Sequence, residues 1–370
     1  MLKDLTKQLL ASAPLSAEQV RFALEQLLDE NLTAELKAGF LIALAQKGET
    51  VAEVTAFAQA LRARSIQPVL DPRTRSQEIL DVCGTGGDRL NTFNISTTVA
   101  LIAAAAGVTV AKHGNRAITS QAGSADVLEA LGMRIDLTPE QAALSLREHH
   151  FAFFFAPRYH PAFKHISAAR KLCAERGQRT IFNFLGPLLN PVQPTAQLLG
   201  VSHPDLCAPM AQALQSLGLR RGMVVCGGVG PKLAVSSSVL SVGAAGADSA
   251  AVLYLDELST LGENIIAEFY QEKGFASSVL PPGLPIQTAT LADLKGGDRE
   301  TNALIVRRIL QGAERGPRRD AVLLNAGAAL FVAGRTRTIG DGWALAGELI
   351  DDGQAQRKLQ ELIKAFPALG

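Results

Sequence analysis

Ile79-Leu80-Asp81-Val82-Cys83-Gly84-Thr85-Gly86-Gly87-Asp88 is the stretch on which the reading of the fold turns. A short apolar run, long enough for a strand and too short for a helix, ends in glycines and an acid. Glycines there let the backbone bend sharply and turn its N–H groups toward an anion; a tight turn without a ligand is the plain alternative. The loop is neither a Walker A loop, since no Gly-Lys-Ser/Thr follows, nor a G-x-G-x-x-G dinucleotide fingerprint. Beyond it Asn91, Asn94, Ser96, Thr97 and Thr98 stand at the expected start of a small-residue helix over 99–106, capped by Ser96 or Thr97. Hydroxyls and free N–H groups at the positive end of a helix suit phosphate oxygens. Capping accounts for one or two of these polar residues, not for five.

The same logic repeats downstream. Residues 108–111 read as a strand, 112–123 as a loop, and Ser124 as the cap of a helix carrying Val127, Leu128 and Leu131. Further strand-like runs lie at 152–156, 196–201 and 222–226. Strands alternating with helices imply an α/β fold with a mostly parallel central sheet and helices on its faces. Upstream, the first 65 residues read as helices alone. Ser16 with Gln19 and Thr50 with Glu53 form capping boxes, and Leu36, Phe40 and Leu44 make an apolar stripe between them. The Pro-containing stretch 67–72 breaks the pattern, so a small all-helical N-terminal domain, 1–70, precedes the larger α/β domain, 71–370. Residues 231–248, rich in Ser, Ala and Gly, read as a loop or loosely structured insertion, and 312–319 as a basic turn before an apolar helix over 321–333.

Composition narrows the function. Of 370 residues 47% are hydrophobic and 19% charged, enough to bury a core and against wholesale disorder. The net charge of +1 gives no global field that would draw in nucleic acid or an anionic membrane. The four cysteines, Cys83, Cys173, Cys207 and Cys226, include no C-x-x-C pair, so neither a disulfide framework nor a zinc site is expected. No signal peptide is legible at the start, and the alanine-rich run 99–111 is too short to span a bilayer. A reduced cytoplasm is the expected setting.

Lys112-His113-Gly114-Asn115-Arg116 sets two fixed cations, an imidazole and an amide around one glycine just past a strand. Ligands of α/β sheets bind at that end of the strands, whereas a solvated surface loop would carry similar charges. Ser120 and Ser124 offer hydroxyls in the continuation of the loop.

Asp-x-x-Gly-Thr-Gly-Gly-Asp at 81–88, Asn-x-Ser-Thr at 94–97, Lys-His-Gly-Asn-Arg at 112–116 and Gly-Ser-Ala-Asp-Val-Leu-Glu-Ala-Leu-Gly at 123–132 resemble the anthranilate phosphoribosyltransferase family. So do His-Pro-Ala at 160–162, Arg-Thr-Ile-Phe-Asn-Phe-Leu-Gly-Pro-Leu-Leu-Asn-Pro at 179–191, Gly-Asp at 297–298 and Arg-Asp-Ala-Val-Leu-Leu-Asn-Ala at 319–326, in the family's order along nearly the whole chain. The resemblance implies transfer of the phosphoribosyl group of phosphoribosyl pyrophosphate to the amino group of anthranilate, with release of pyrophosphate, in tryptophan biosynthesis. It also implies a magnesium cofactor, a homodimer, and a helical domain completed by a piece near 165–192.

Carried over by residue, the resemblance assigns Gly84, Thr85, Gly86, Gly87, Asp88, Thr92, Asn94, Ser96, Thr97, Lys112 and Ser124 to the phosphoribosyl donor. Gly84, His113, Asn115, His160, Arg170 and Pro187 fall along the anthranilate channel, and Ser96, Asp256 and Glu257 become magnesium ligands. Transition-state charge would rest on Lys112 and the metal. Arg170 is placed by counting ten residues on from His160, with Arg176 and Arg179 as neighbours. Cys226-Gly227 stands where the family has histidine-glycine, and Asp256-Glu257 arrives late, behind the Ser/Ala/Gly-rich stretch. Asp256 as the N-cap of a helix over 258–269 is the plain alternative to a metal role. Two other functions compete: an inactive nucleic-acid-binding homologue on the same fold, against which the net charge and the near-intact donor motifs both speak, and a pyrimidine nucleoside phosphorylase-like enzyme, which would not be expected to carry the 112–116 and 179–183 motifs.

Overall fold

Capping residues and apolar stripes set the first four helices, α1 (Leu2–Leu10), α2 (Ala17–Leu28), α3 (Ala34–Lys47) and α4 (Val51–Arg62). Both expected capping boxes close, Ser16 with Gln19 and Thr50 with Glu53. Glu53 is fully buried, and Lys47 Nζ, Leu15 N and Thr50 N all donate to it at 2.7–2.9 Å, which holds its carboxyl below the usual range despite burial. The computed structural model describes residues 2–117, 121–230, 253–271, 273–277 and 283–367. The expected insertion at 231–248 and the hydroxyl of Ser120 lie outside them.

After the short α5 (Pro72–Arg75), strands and helices alternate: β1 (Ile79–Gly84), α6 (Ile95–Ala105), β2 (Thr109–Gly114), α7 (Ser124–Ala130), α8 (Pro139–His149) and β3 (Phe151–Phe155). Then come α9 (Ala156–Tyr159), α10 (Ser167–Glu175), β4 (Ala196–Gly200), α11 (Cys207–Ser216) and β5 (Arg221–Val229). The chain continues through β6 (Leu253–Leu255), β7 (Asn264–Tyr270) and β8 (Lys273–Ser277), and ends in α12 (Arg299–Leu310), α13 (Pro317–Val332), α14 (Ile339–Asp351) and α15 (Gln354–Ala365).

The strands form one sheet in the order β3-β2-β1-β4-β5-β7-β8, with β6 also pairing β5. From β3 to β5 every pairing is parallel; β6, β7 and β8 add an antiparallel edge. Side chains alternate between the two faces, as a strand buried on both sides requires. Leu80, Val82, Leu198, Met223 and Val225 join the core under α6, α7 and α12–α15, whereas Cys83, Leu199, Val224 and Cys226 join the core shared with α1–α4, residues 166–189 and α11. All four cysteines are free thiols and buried. No helix among the described residues is long and apolar enough to cross a membrane.

Several local expectations change. Lys112, His113 and Gly114 belong to β2 and not to a loop, because pairing with β3 continues through Gly114 opposite Phe155. The helix read at 99–106 begins earlier, with Asn94 at its N-cap position. Gly123, and not Ser124, caps α7; Asp126 accepts its N–H at 2.9 Å. The alternative helix over 258–269 is absent: the chain there folds into β7, paired antiparallel with β5 along its length.

Candidate active site

Strand order reverses between β1 and β4, where the connections leave in opposite directions; in open α/β sheets ligands bind in the crevice outside the carboxyl ends of the strands at such a point. Gly84 and Gly200 close these two strands side by side. A Cβ on Gly84 would strike the carboxylate of Asp256, and one on Gly200 its backbone carbonyl, so the glycines leave the room this residue occupies. The loop then turns on Gly86 and Gly87, both at positive φ (71° and 85°), a conformation that L side chains strain to adopt. Thr85 N donates to Gly200 O at 2.9 Å and Gly86 N to Asp256 Oδ2 at 2.7 Å.

The N-terminus of α6 faces the same crevice. Ser96 N donates to Glu257 Oε1 at 3.1 Å, and Lys112 Nζ reaches Ser96 Oγ at 3.3 Å and the Val82 carbonyl at 2.6 Å. Lys112 is almost wholly buried; the loss of water lowers its pKa, and Asp81, Cys83 and Glu257 work against that shift. Burial first, then repulsion from Asp88, pushes the Asp256 carboxyl well up; burial first, then Asp256, does the same to Glu257. Asp88 Oδ2 is buried without a partner. The sequence-predicted Gly84, Thr85, Gly86, Gly87, Asp88, Ser96, Lys112, Asp256 and Glu257 are therefore gathered into one site.

The remaining candidates are more dispersed. Asn94 is oriented by the 296–302 segment, with Asn302 Nδ2 donating to its Oδ1 at 3.0 Å. Thr92 forms a bridge with Lys295. Thr97 is fully buried, its hydroxyl unpartnered. Ser124 lies against Gly114, its hydroxyl 3.4 Å from the Asn115 carbonyl.

A second cluster adjoins the first. The rings of His113 and His160 meet edge to face at 5.1 Å, followed by Phe163 and Phe182, and the Arg170 guanidinium lies 5.7 Å from the Phe182 ring. Burial, with repulsion from His160, holds His113 down to about 3, and burial alone holds His160 down to about 4. Nε2 of each imidazole is buried without a partner. Among the described residues no carboxylate pairs with Arg170, whose pKa burial lowers. Arg179, expected only as its substitute, instead reaches over Gly87.

Two buried residues beneath the site, Arg62 and Gln197, escaped the sequence reading, and Asp81, read there as part of the 81–88 motif, was given no role. Asp81 is wholly buried and pushed up to about 6 by burial, opposed by Asn190, whose Nδ2 donates to it at 2.9 Å and to Ala111 O at 2.7 Å. A carboxylate inside an otherwise apolar strand was the available signal for Asp81. Arg62 and Gln197 gave none, since their partners come from distant parts of the chain. Cys226, in the histidine position of the family motif, faces the other core; Gly227 beside it leaves room for the backbone of 257–259.

The acidic side offers oxygen alone: Asp88, Asp256, Glu257 and Ser96. Such a set, with one carboxylate oxygen unpartnered, suits a hard cation such as magnesium, which is commonly held by one or two carboxylates, water and ligand phosphates. Among the described residues no three acidic, His or Cys side chains converge closely enough to form a metal cluster by themselves.

Comparison with known proteins matches residues 3–65 to the helical bundle domain of a glycosyl transferase family, and residues 76–249 and 232–356 to that family's α/β domain. An anthranilate phosphoribosyltransferase of Alkaliphilus metalliredigens is 41% identical over 367 residues, covering 98% of both chains, and one of Petrotoga mobilis is 40% identical over 95% of this chain and 92% of its own. The crystal structure of anthranilate phosphoribosyltransferase from Thermus thermophilus superposes with a TM-score of 0.81 at 39% identity, covering 98% of this chain and 99% of that one. The Saccharomyces cerevisiae enzyme in complex with phosphoribosyl pyrophosphate and magnesium also gives 0.81, at 27% identity over 98% and 97%. Neither competing function finds support among these relatives.

Proposed function

We infer the roles of individual residues from the premise that the chain belongs to the anthranilate phosphoribosyltransferase family, enzymes that join phosphoribosyl pyrophosphate to anthranilate in tryptophan biosynthesis. The chain carries out that transfer: the amino group of anthranilate displaces pyrophosphate from C1 of the donor, giving N-(5-phosphoribosyl)anthranilate.

The donor side is the crevice at the ends of β1 and β2. Gly84, Thr85, Gly86, Gly87, Asp88 and Asn94 surround the ribose and pyrophosphate, and Ser96 and Thr97 bring the N-terminus of α6 to a phosphate; Thr92 and Ser124 complete the donor set at its edges. The observation that carries this reading is the buried Lys112 ammonium beside Ser96 Oγ, at the head of α6 and next to the glycine loop. As the C1–O bond breaks, negative charge grows on the leaving oxygens, and a fixed cation with oriented N–H groups stabilises it without reorganisation. Ser96, Asp256 and Glu257, with Asp88 nearby, would hold magnesium together with the donor's oxygens, and the ion would supply further charge neutralisation on the pyrophosphate.

Anthranilate enters along Gly84, His113, Asn115, His160 and Pro187, with Arg170 for its carboxylate. The amine is already an uncharged nucleophile at neutral pH, so the chain's task is to hold it in line behind C1. Closure of the helical unit, residues 1–70 with the piece near 165–192, keeps water from capturing the ribosyl cation. The enzyme acts as a homodimer; Leu10 and Phe22, exposed on α1 and α2, provide apolar surface for it. Sedimentation velocity tests the dimer. For the reaction, anthranilate fluorescence should fall only when protein, phosphoribosyl pyrophosphate and magnesium are all present, and fluorescence that stays flat with folded protein refutes the assignment.

A further inference from the structure

Two successive carbonyls, of Pro187 and Leu188, each accept from a buried polar side chain from a different part of the chain. The flanking carbonyls act on the two imidazoles, that of Gly186 on His113 of β2 and that of Leu189 on His160 after α9, each working against the burial that lowers the ring's pKa. Between them, Gln197 Nε2 on β4 donates to Pro187 O at 2.8 Å, and Arg62 Nε at the end of α4 donates to Leu188 O at 2.6 Å. Asn190 then anchors the segment to Asp81 and to the Ala111 carbonyl.

Stability alone does not explain Arg62 and Gln197. Gln197 is fully buried and Arg62 is 5% exposed, and each keeps an atom without a partner, Oε1 and Nη2 respectively. Asp81 is the opposite charge that acts on Arg62, but no ion pair joins them among the described residues, and burial lowers the guanidinium pKa to about 10. A buried ionic or amide group of this kind costs several kcal/mol of desolvation in general terms, and apolar side chains of similar volume often serve stability as well or better. What an apolar side chain cannot supply is a directed bond to one carbonyl.

We propose that Arg62 and Gln197 are positioning residues for the acceptor: together they fix the 186–189 backbone against which His113 and His160 are set. This rests on the reading that anthranilate lies along His113, His160 and Pro187. Gln197 Nε2 also donates to Cys83 Sγ at 3.2 Å; otherwise, among the described residues, neither side chain is hydrogen-bonded to the glycine loop, to Ser96, to Lys112 or to the acid pair. The effect of losing either should therefore fall on one substrate. Arg62 is also the last residue of α4, so it carries a directed contact from the helical unit to the Leu188 carbonyl.

Steady-state kinetics with both substrates varied decide the matter. Arg62→Met and Gln197→Met, which roughly preserve volume, should each raise KM for anthranilate about tenfold, the loss expected for one buried directed hydrogen bond, while KM for phosphoribosyl pyrophosphate stays within about twofold. Arg62→Lys keeps a charged donor and should recover most of the loss. Because both residues act through one segment, the double variant should lose less than the product of the singles. Equal increases in both KM values, no change in either, or a double variant equal to the product overturns the proposal. If Arg62→Met does not fold, by near-UV circular dichroism, Gln197→Met decides alone. A wild-type protein that fails to consume anthranilate overturns the underlying reading and this proposal with it; a wild type that consumes it, with variants unchanged, overturns this proposal alone.

Discussion

The donor side and the acceptor side of the crevice share β1 and β2, yet they manage charge in opposite ways. At the end of β1 and the start of α6, one buried ammonium lies beside Asp81 and Glu257, with Asp256 and Asp88 next to Glu257; burial, then repulsion from a neighbouring carboxylate, pushes both Asp256 and Glu257 up. Next to Lys112 on β2, His113 meets His160 from the end of α9, and both imidazoles are held neutral by burial, with aromatic rings beyond them. On the proposed reading, the first side takes a polyanion with its cation, and the second a flat aromatic ring whose carboxylate meets Arg170. The contrast teaches that one set of parallel strands can present a polar and an apolar half-site simply by which residues end each strand.

Lys112 should break the contrast most severely. Lys112→Met removes the cation proposed to face the leaving group and leaves Asp81 and Glu257 without it, so kcat should fall by about 10²–10³, comparable to the loss of a preorganised oxyanion donor in other enzymes. Stopped-flow turnover at saturating substrates checks this, with thermal unfolding run alongside. A fall below tenfold would mean that the ammonium is structural.

Arg170→Ala should damage the acceptor side alone. A guanidinium grips a carboxylate through two parallel bonds, and no carboxylate of the described chain competes for it. KM for anthranilate should rise by about 10- to 100-fold with KM for phosphoribosyl pyrophosphate unchanged. Should the variant behave as wild type, Arg179 becomes the arginine to test, although it reaches over Gly87 of the glycine loop.

The acid pair sharpens the donor side. Asp256→Asn with Glu257→Gln nearly preserves shape and still allows the side-chain oxygens to accept from Gly86 N and Ser96 N, but it removes two carboxyls that a bound cation would ionise. The magnesium concentration for half-maximal rate should rise about tenfold, and titration with a chelator should inactivate the variant sooner than the wild type. An unchanged magnesium requirement would make the pair structural.

What the sequence disclosed of these two sides follows from how local their determinants are. The glycine loop, the capping boxes and the strands at β1, β4 and β5 are written in neighbouring residues, and so are most donor-side candidates. The end of β2 is not: whether Lys112 and His113 stay in a strand depends on Phe153 and Phe154 of the partner strand, which pair with them. β7 was obscured because Leu258, Leu261 and Ile265 repeat at helical spacing, while pairing with β5 decides the outcome. The layer formed by Arg62, Gln197 and the 186–189 carbonyls joins separate segments of the chain, and no window of sequence contains it.

The smallest expected effect is an absence of change with pH on the acceptor side. With His113 held down to about 3 and His160 to about 4, both rings are neutral from about pH 6 to about pH 8, so KM for anthranilate should stay within about twofold across that range. Stability obeys the same numbers with a definite sign. Each imidazole binds its proton less readily folded than unfolded, where the ordinary value is about 6.5, so the unfolded chain binds more protons between these values. Their contribution is thus fully present above about pH 6.5 and is lost as pH falls through the folded values. Urea unfolding at stepped pH should show stability falling from about pH 6.5 toward about pH 4, with a shallower slope in His113→Asn and His160→Asn. A KM for anthranilate that rises sharply as pH drops through about 6.5 would show an imidazole titrating at its ordinary value, and with it an acceptor side open to water rather than closed against it.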